Sequence, residues 1–572
     1  MKKLLGLFIT LTLVFLVSCD MTNVTTNTTT NTETSTTSEA VTTLANTYES
    51  VITEAVDFEK AEYEEYELLE YTVLDGTSES YMITESGTYV LTGTITETVI
   101  IDVGDEDVRL ILDNVTIQTE TDSAILVLSG DDVTISAPEG TENYLTDSAV
   151  YSEVNQEYNG VIYSECDLVI NGSGSITVNA LFNNGIITKD DLVIMDVTLN
   201  ITSVDDGIIG RDSLEMKNVT ITIDSLGDGI KSTYEYDEGT AEELIEKGYI
   251  YIDSGNFVIT SGDDAIDATS EVVIIDGSYI LVSSSQGISS NLNLYIMDGY
   301  FEITSTDDCI NADVYVEING GEFILNTSDD GIKGNDLVVI NDGYITIETC
   351  FEGIEGTLIE INGGVIDIVA EDDGVNATGT VGNNVGETNQ VVPDEDVDQV
   401  ILYINGGDIT IVSVGDGIDA NGSILMTGGS IVSSGTTAPD SAIDFDIFNF
   451  TLTGGEIFGI GSSMMAMGPT DTSEQGSFMV ILSSYLSAGS DVVLYDGDGL
   501  IVCEYETAIS SENIVIASDE LVVGNEYVLS IDGLDDIEFE LELVTFLDED
   551  GVREPLEIVE PGGGAGGPRP PR

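Results

Sequence analysis

The chain has 572 residues, 42% of them hydrophobic, enough for a large core and more than one domain. Its 107 acidic and 13 basic residues give a formal net charge of -94, which excludes nucleic acid and anionic membrane surfaces as partners. Histidine and tryptophan are absent. Recurrent Gly, Asn, Thr, Ile, Val and Tyr in short runs is the vocabulary of strands and turns, not of a disordered polyacid.

The N-terminus, "MKKLLGLFITLTLVFLVSCD", places two lysines before an apolar run that ends at Cys19. It resembles a bacterial lipoprotein signal with its lipobox. The resemblance implies cleavage before Cys19, lipidation of the Cys19 thiol, and a mature protein held at the outer face of a cell membrane by its lipid alone. An ordinary secretory signal is the alternative. Residues 20–60 open on a Thr-, Ser- and Asn-rich stretch that cannot build a core and reads as a tether.

From 61 to about 470 the sequence repeats. The residue preceding each Gly-Ile, or its equivalent, is Asn184, Asp206, Asp228, Asp264, Gln286, Asp308, Asp330, Glu352, Asp373 and Asp416. The steps are 22, 22, 36, 22, 22, 22, 22, 21 and 43, the two long ones being a repeat plus an insertion, at 232–244 and at 381–399. Each repeat holds three short extended pieces, such as "GIKG", "LVVI" and "YITI", too short for helices. Three strands and three turns in about 22 residues predict one coil of a parallel β-helix. The Leu framework of a leucine-rich repeat is missing, and a propeller blade needs about 40 residues. Ile332 is expected to stack between Ile310 and Ile354, with Gly331 taking the bend. Weaker repeats at 108–117 and 131–143 read as the first coils and cap.

Beyond the repeats, 471–548 predicts a small antiparallel β unit with Asp-Gly turns, and 549–572 a disordered Gly/Pro/Arg tail. Cys166, Cys309, Cys350 and Cys503 lack metal-ligand spacing and read as buried thiols.

Stacked coils lie about 4.8 Å apart. The acids before each Gly-Ile then form one outward column and those a residue earlier a second. Carboxylates so close repel by about 1 kcal/mol in water and about 3–4 kcal/mol in a partly screened groove. Bridging by a hard dication relieves this, and outside the cell that is Ca2+, which takes six to eight oxygens. Without histidine or clustered thiols, zinc and iron do not fit. The candidate ligands are Asp205, Asp206, Asp228, Asp263, Asp264, Asp307, Asp308, Asp329, Asp330, Glu352, Asp372, Asp373 and Asp416. Asp267, Asn311, Asn376 and Asp419, three residues after a column acid, add nearby oxygens. The competing reading is that Asp-Gly is simply a good turn dipeptide. Lys231 and Lys333 directly follow Gly-Ile, and Lys189 and Arg211 match each other 22 residues apart. All four are candidates for binding sugar carboxylates or hydroxyls, with local charge neutralisation as the alternative. Tyr279, Tyr295, Tyr300, Tyr315 and Tyr344 are candidates for stacking on sugar rings or for covering strand faces.

"SYMITESGTYVLTGTI", "GIITKDDLVI", "DDGIIGRDSL", "GDGIKS", "KGYIYIDSGNFVITSGDDAIDA" and the glycine-rich tail, in this order, resemble the bacterial carbohydrate-binding domain-containing proteins. The likeness spans about 80 to 560. It implies a right-handed parallel β-helix similar to that of pectate lyases, calcium on its surface, and non-catalytic binding of acidic polysaccharide such as polygalacturonate, with cellulose as a further ligand. Cys309, Phe351 and Gln286 depart from the repeated turn. Three other functions stay open: a lyase acting on uronates by calcium-assisted β-elimination, with Lys231, Arg211 or Lys333 as base, a glycoside hydrolase using two of the many carboxylates, and a structural adhesin. A monomer is expected.

Overall fold

Within each repeat, apolar and polar residues alternate, so every strand sends one set of side chains inward and the other outward. "SYILVS" (Ser278–Ser283) shows it: Tyr279, Leu281 and Ser283 are buried, while Ile280 and Val282 are exposed. The computed structural model describes residues 58, 61–63, 70–78, 81–234, 247–379, 400–435, 439–445 and 449–553. The signal with Cys19, most of the tether, most of both repeat insertions and most of the tail lie outside these residues. The described ones belong to one compact unit, Ser50–Arg572.

The fold is all-β, with no α-helix among the described residues. It is a parallel β-solenoid of about 16 turns and about 22 residues per turn, followed by antiparallel strands. Each coil contributes one strand to each of three sheet faces. In one coil these are Ile310–Ala312, Tyr315–Ile318 and Glu322–Asn326. They pair in register with Ile332–Gly334, Leu337–Ile340 and Tyr344–Ile347 of the next. Ile310, Ile332 and Ile354 stack in one fully buried column, as expected. The register crosses both insertions: Ile230 pairs with Ile266 and Val375 with Ile418. The coils begin earlier than the clear repeats, at Tyr71–Leu74 against Gly87–Ile95.

Inside, Phe257, Tyr279, Phe301 and Phe323 stack face to face at centroid spacings of 4.7–4.8 Å, the spacing of the strands that carry them. At an outer turn, Asn341, Asn362 and Asn405 each donate to the asparagine one coil below at 2.9 Å, starting on Asn319.

The glycine before each inward Ile is not a left-handed turn residue. A Cβ on Gly331 would lie 2.7 Å from the Gly353 carbonyl oxygen and 2.7 Å from Ile347 Cδ1, so close stacking of coils keeps it small. The positive φ falls instead on the glycine of the turn before the third strand: 132° at Gly343, 135° at Gly299.

The last coil strand, Glu456–Gly461, pairs antiparallel with Ser511–Ala517, which also pairs with Ser477–Leu486. Asp491–Asp496, Ile501–Glu506, Glu526–Ile531 and Ile537–Glu540 form a separate antiparallel sheet. This unit has its own core around Phe478, Leu494, Tyr527 and Leu529.

Candidate functional site

At the start of the first strand of each coil the chain turns through the acid that precedes Gly-Ile. Its backbone is in the stack: Gly207 N–H donates to Asp228 O at 2.9 Å, Cys309 N–H to Asp330 O at 3.0 Å, and Gly374 N–H to Asp416 O at 3.0 Å. Its side chain serves the stack too. Asp206 Oδ1 accepts the Asp228 N–H at 2.8 Å, Asp228 Oδ1 that of Asp264 at 2.9 Å, and Asp264 Oδ1 that of Gln286 at 2.8 Å. Asp308 Oδ1 accepts the Asp330 N–H at 3.0 Å, Asp373 Oδ1 that of Asp416 at 2.7 Å, and Asp416 Oδ1 that of Ser441 at 2.5 Å. These six acids thus form a ladder in which each caps the next coil's amide, while Asp330 accepts from Lys333 and Glu352 from Asn376 Nδ2 instead. Sequence reasoning missed this role, although a carboxylate two residues before a buried strand start is a usual amide acceptor.

Beside the ladder runs the second predicted column. Asp205, Asp263, Asp307, Asp329 and Asp372 share it with Gly227, Ser285 and Phe351 through backbone bonds such as Phe351 N–H to Asp329 O at 2.7 Å. On the strand side, the residue after the inward Ile forms a third column: Lys231, Asp267, Ser289, Asn311, Lys333, Glu355, Asn376 and Asp419 in successive coils. Lys231 Nζ donates to Asp228 Oδ2 and lies 3.3 Å from Asp267 Oδ2. Lys333 Nζ reaches Asp330 Oδ2 at 2.5 Å and Glu355 Oε2 at 2.7 Å. Both lysines are therefore engaged with ladder carboxylates.

Three carboxylate groups on this edge bring ligand oxygens within 4.8 Å of one another: Asp228, Asp263 and Asp264; Asp307, Asp308 and Asp329; Asp330, Glu352 and Glu355. Glu355 was not foreseen; aligning the residue after Gly-Ile would have found it. A fourth group, Asp167, Asp190 and Asp191, lies beyond the other end of the first strand and was also not foreseen. Asp205, Asp206, Asp372, Asp373 and Asp416 lie in the columns but in none of these groups.

Burial raises the carboxyls of Asp206, Asp264, Asp308, Asp330, Glu352, Asp373 and Asp416. It pushes Asp308 up to about 7, with Lys333 pulling the other way. Asp416 rises to about 8 through burial and then through Asp444 and Asp373. Burial lifts Asp206 and Asp373 to about 6. Asp330 is raised by burial and by its hydrogen bond to Glu355, which is held low despite its own burial. Two amide oxygens in the third column, Asn311 Oδ1 and Asn376 Oδ1, are buried without a hydrogen-bond partner, and their residues are 8% and 7% exposed. Buried oxygens that lack donors, beside carboxylates that resist ionisation, fit a hard cation with oxygen ligands.

Lys189 and Arg211 sit at the far end of the first strand in consecutive coils, Arg211 N–H bonding Thr188 O at 3.3 Å. Lys189 Nζ lies 5.9 Å from the Tyr163 ring centre and the Arg211 guanidinium 5.6 Å from that of Tyr234. Tyr279 is buried in the solenoid core, Tyr295 and Tyr315 are buried outside the core cluster, alternating with the inward Leu294, Ile296, Val316 and Ile318, whereas Tyr344 is 67% exposed and Tyr300 half-buried. All four described cysteines are free thiols, Cys309 and Cys350 buried, Cys166 and Cys503 half-buried.

A model of the carbohydrate-binding domain-containing protein family matches residues 77–331. A carbohydrate-binding domain-containing protein of Acetivibrio thermocellus is 40% identical over 209 residues, covering 35% of this chain and 71% of that protein. The chain belongs to this family. A solved structure, the polysaccharide lyase-like protein from C. thermocellum as its gadolinium derivative, is 32% identical over 38% of this chain and 90% of that one, with a TM-score of 0.33. In this carbohydrate-binding domain-containing protein the matched segment holds Lys189, Arg211 and the ladder from Asn184 to Asp330. The ladder itself runs on, in the same register, through Asp416.

Proposed function

We propose that the protein binds extracellular acidic polysaccharide of the polygalacturonate type without cleaving it, and that calcium on the ladder edge mediates the contact. The observation that carries this reading is the in-register acid edge, with three carboxylate groups and two buried amide oxygens that lack donors. A protein of charge -94 repels a polyuronate. A calcium ion shared between protein and uronate carboxylates reverses that sign. Membership of a carbohydrate-binding family supports a glycan as partner. The N-terminal signal supports attachment through lipidated Cys19 at the outer face of the cell membrane, with the solenoid held off by the tether.

A lyase needs a base able to give up its proton. Lys231 and Lys333 are held protonated by their carboxylate partners, which disfavours both in that role. The test is binding to immobilised polygalacturonate in calcium and in chelator, with ultraviolet absorbance of the same mixtures followed for unsaturated products. Retention in calcium, release by chelator and no absorbance gain is the expected result. Equal retention in chelator, or steady product formation, overturns the proposal.

A further inference from the structure

The second strand of each coil sends its side chains alternately to opposite sides. The inward ones belong to the solenoid core: Ile250 and Ile252, Val272 and Ile274, Leu294 and Ile296. Between them Tyr251, Val273 and Tyr295 point outward and stack in register. Tyr315, one coil further on, sets its ring edge-on to that of Tyr295 at 5.6 Å. Outward residues on the third sheet are open to water, Val258 being 45% exposed. On the second sheet they are not: Val273 is 4% exposed, and Tyr251, Tyr295 and Tyr315 are as deeply buried. An outward apolar stripe this dry is a covered face.

The chain ahead of the first coil shows where the cover starts. The Arg109 guanidinium stands over the Tyr63 ring at 5.1 Å, and Asn171 Nδ2 donates to Ala61 O at 2.8 Å. Phe58 is buried, with Lys217 Nζ 5.1 Å from its ring centre and the Tyr251 ring at 6.4 Å. Arg109, Asn171, Lys217 and Tyr251 all lie on the outer side of the second sheet, in successively later coils. Read backwards from Tyr63 to Phe58, the chain therefore climbs the stack. Ala61 N–H donates to Phe58 O at 3.0 Å, a single helical turn. Just upstream, "SVITEAVDF" (50–58) places Val51, Ile52, Ala55, Val56 and Phe58 on one side of a helix and Ser50, Thr53, Glu54 and Asp57 on the other. As a helix, the residues before Phe58 reach about 12 Å, the height of about two and a half coils. From Tyr251 that distance passes Val273 and ends at Tyr295.

We infer that residues 50–57 form an amphipathic helix docked on the outer face of the second sheet, with Val51, Ile52, Ala55 and Val56 against Val273, Tyr295 and Tyr315. The segment is a strap that continues the contact Phe58 makes with Tyr251. It moves these residues from the tether into the folded unit, and the chain enters the solenoid along its flank. Neither calcium nor a glycan takes part in this contact.

Hydrogen exchange of the full chain, read by mass spectrometry, is the test. Amides of 50–57 are expected to exchange about 100-fold or more slower than those of 24–38. Val51→Asp with Ala55→Asp puts charge into the contact from the segment, and Val273→Asp puts it in from the sheet without touching the core. Each is expected to bring 50–57 to within about threefold of 24–38, while 401–435 keeps the protection of the parent. Tyr295→Asp takes the place of Val273→Asp if that variant does not fold. Parent amides of 50–57 that exchange as fast as those of 24–38, or protection that survives substitution on either side, overturn the inference. Protection lost on dilution by about 100-fold assigns the face to a second copy of the chain and overturns it too.

Discussion

Moving the calcium-free protein from pH 8 to pH 5.5 is expected to stabilise it, and Asp308 sets the scale. Its side chain is 4% exposed and its carboxyl is pushed up to about 7, whereas an unfolded chain releases that proton near 3.9. Between those values the folded chain holds a proton that the unfolded chain has lost, so stability falls as pH rises from about 4 to 7. At about 1.4 kcal/mol per pH unit, the stretch from 5.5 to 7 is worth about 2 kcal/mol as a ceiling for this one residue. Asp416, at about 8, acts with the same sign. Overall charge repulsion also eases at low pH, so the decisive comparison is with Asp308→Asn, which keeps an oxygen for the Asp330 N–H and cannot ionise. In chelator the variant is expected to match the parent at pH 5.5 and to exceed it by up to about 2 kcal/mol at pH 8. Denaturant melts of both proteins at the two pH values give the difference. Equal pH dependence, or a variant less stable at pH 8, would refute the claim that this carboxylate is buried without an adequate counter-ion.

Asp228→Ala removes both the acceptor of the Asp264 N–H and the partner of Lys231, and is expected to cost about 3 kcal/mol in a denaturant melt. Phe301→Ala takes the third ring from a four-ring stack and should cost about 3–5 kcal/mol in the same assay. The double substitution Lys189→Gln with Arg211→Gln should weaken polygalacturonate retention while leaving the calcium count unchanged. Retention of full binding would remove these two cations from the glycan contact.

The solenoid was legible because one signal repeats: a small residue and an inward Ile at steps of 22 put the same side chain in the same place. The columns followed from that spacing, and the structure sets Asp307 beside Asp308 and Asp329 as the steps required. What spacing could not show was what each oxygen does. Asp308 spends one oxygen on the Asp330 amide, and the sequence records only a residue two places before a strand. Lys333 reads equally as a glycan ligand or as a counter-ion until the distance to Asp330 is known. Asp167, Asp190 and Asp191 escaped because they lie outside the Gly-Ile turn. Gly331 was misjudged for a related reason, since a glycine kept small by a neighbouring coil looks the same in sequence as one kept for its φ angle.

The most direct test of the account is anomalous diffraction from crystals of the full chain grown with calcium. The account predicts a bound ion at one or more of the three carboxylate groups on this edge: Asp228, Asp263 and Asp264; Asp307, Asp308 and Asp329; or Asp330, Glu352 and Glu355. Calcium absent from the whole ladder edge, in crystals soaked well above the solution dissociation constant, would contradict it.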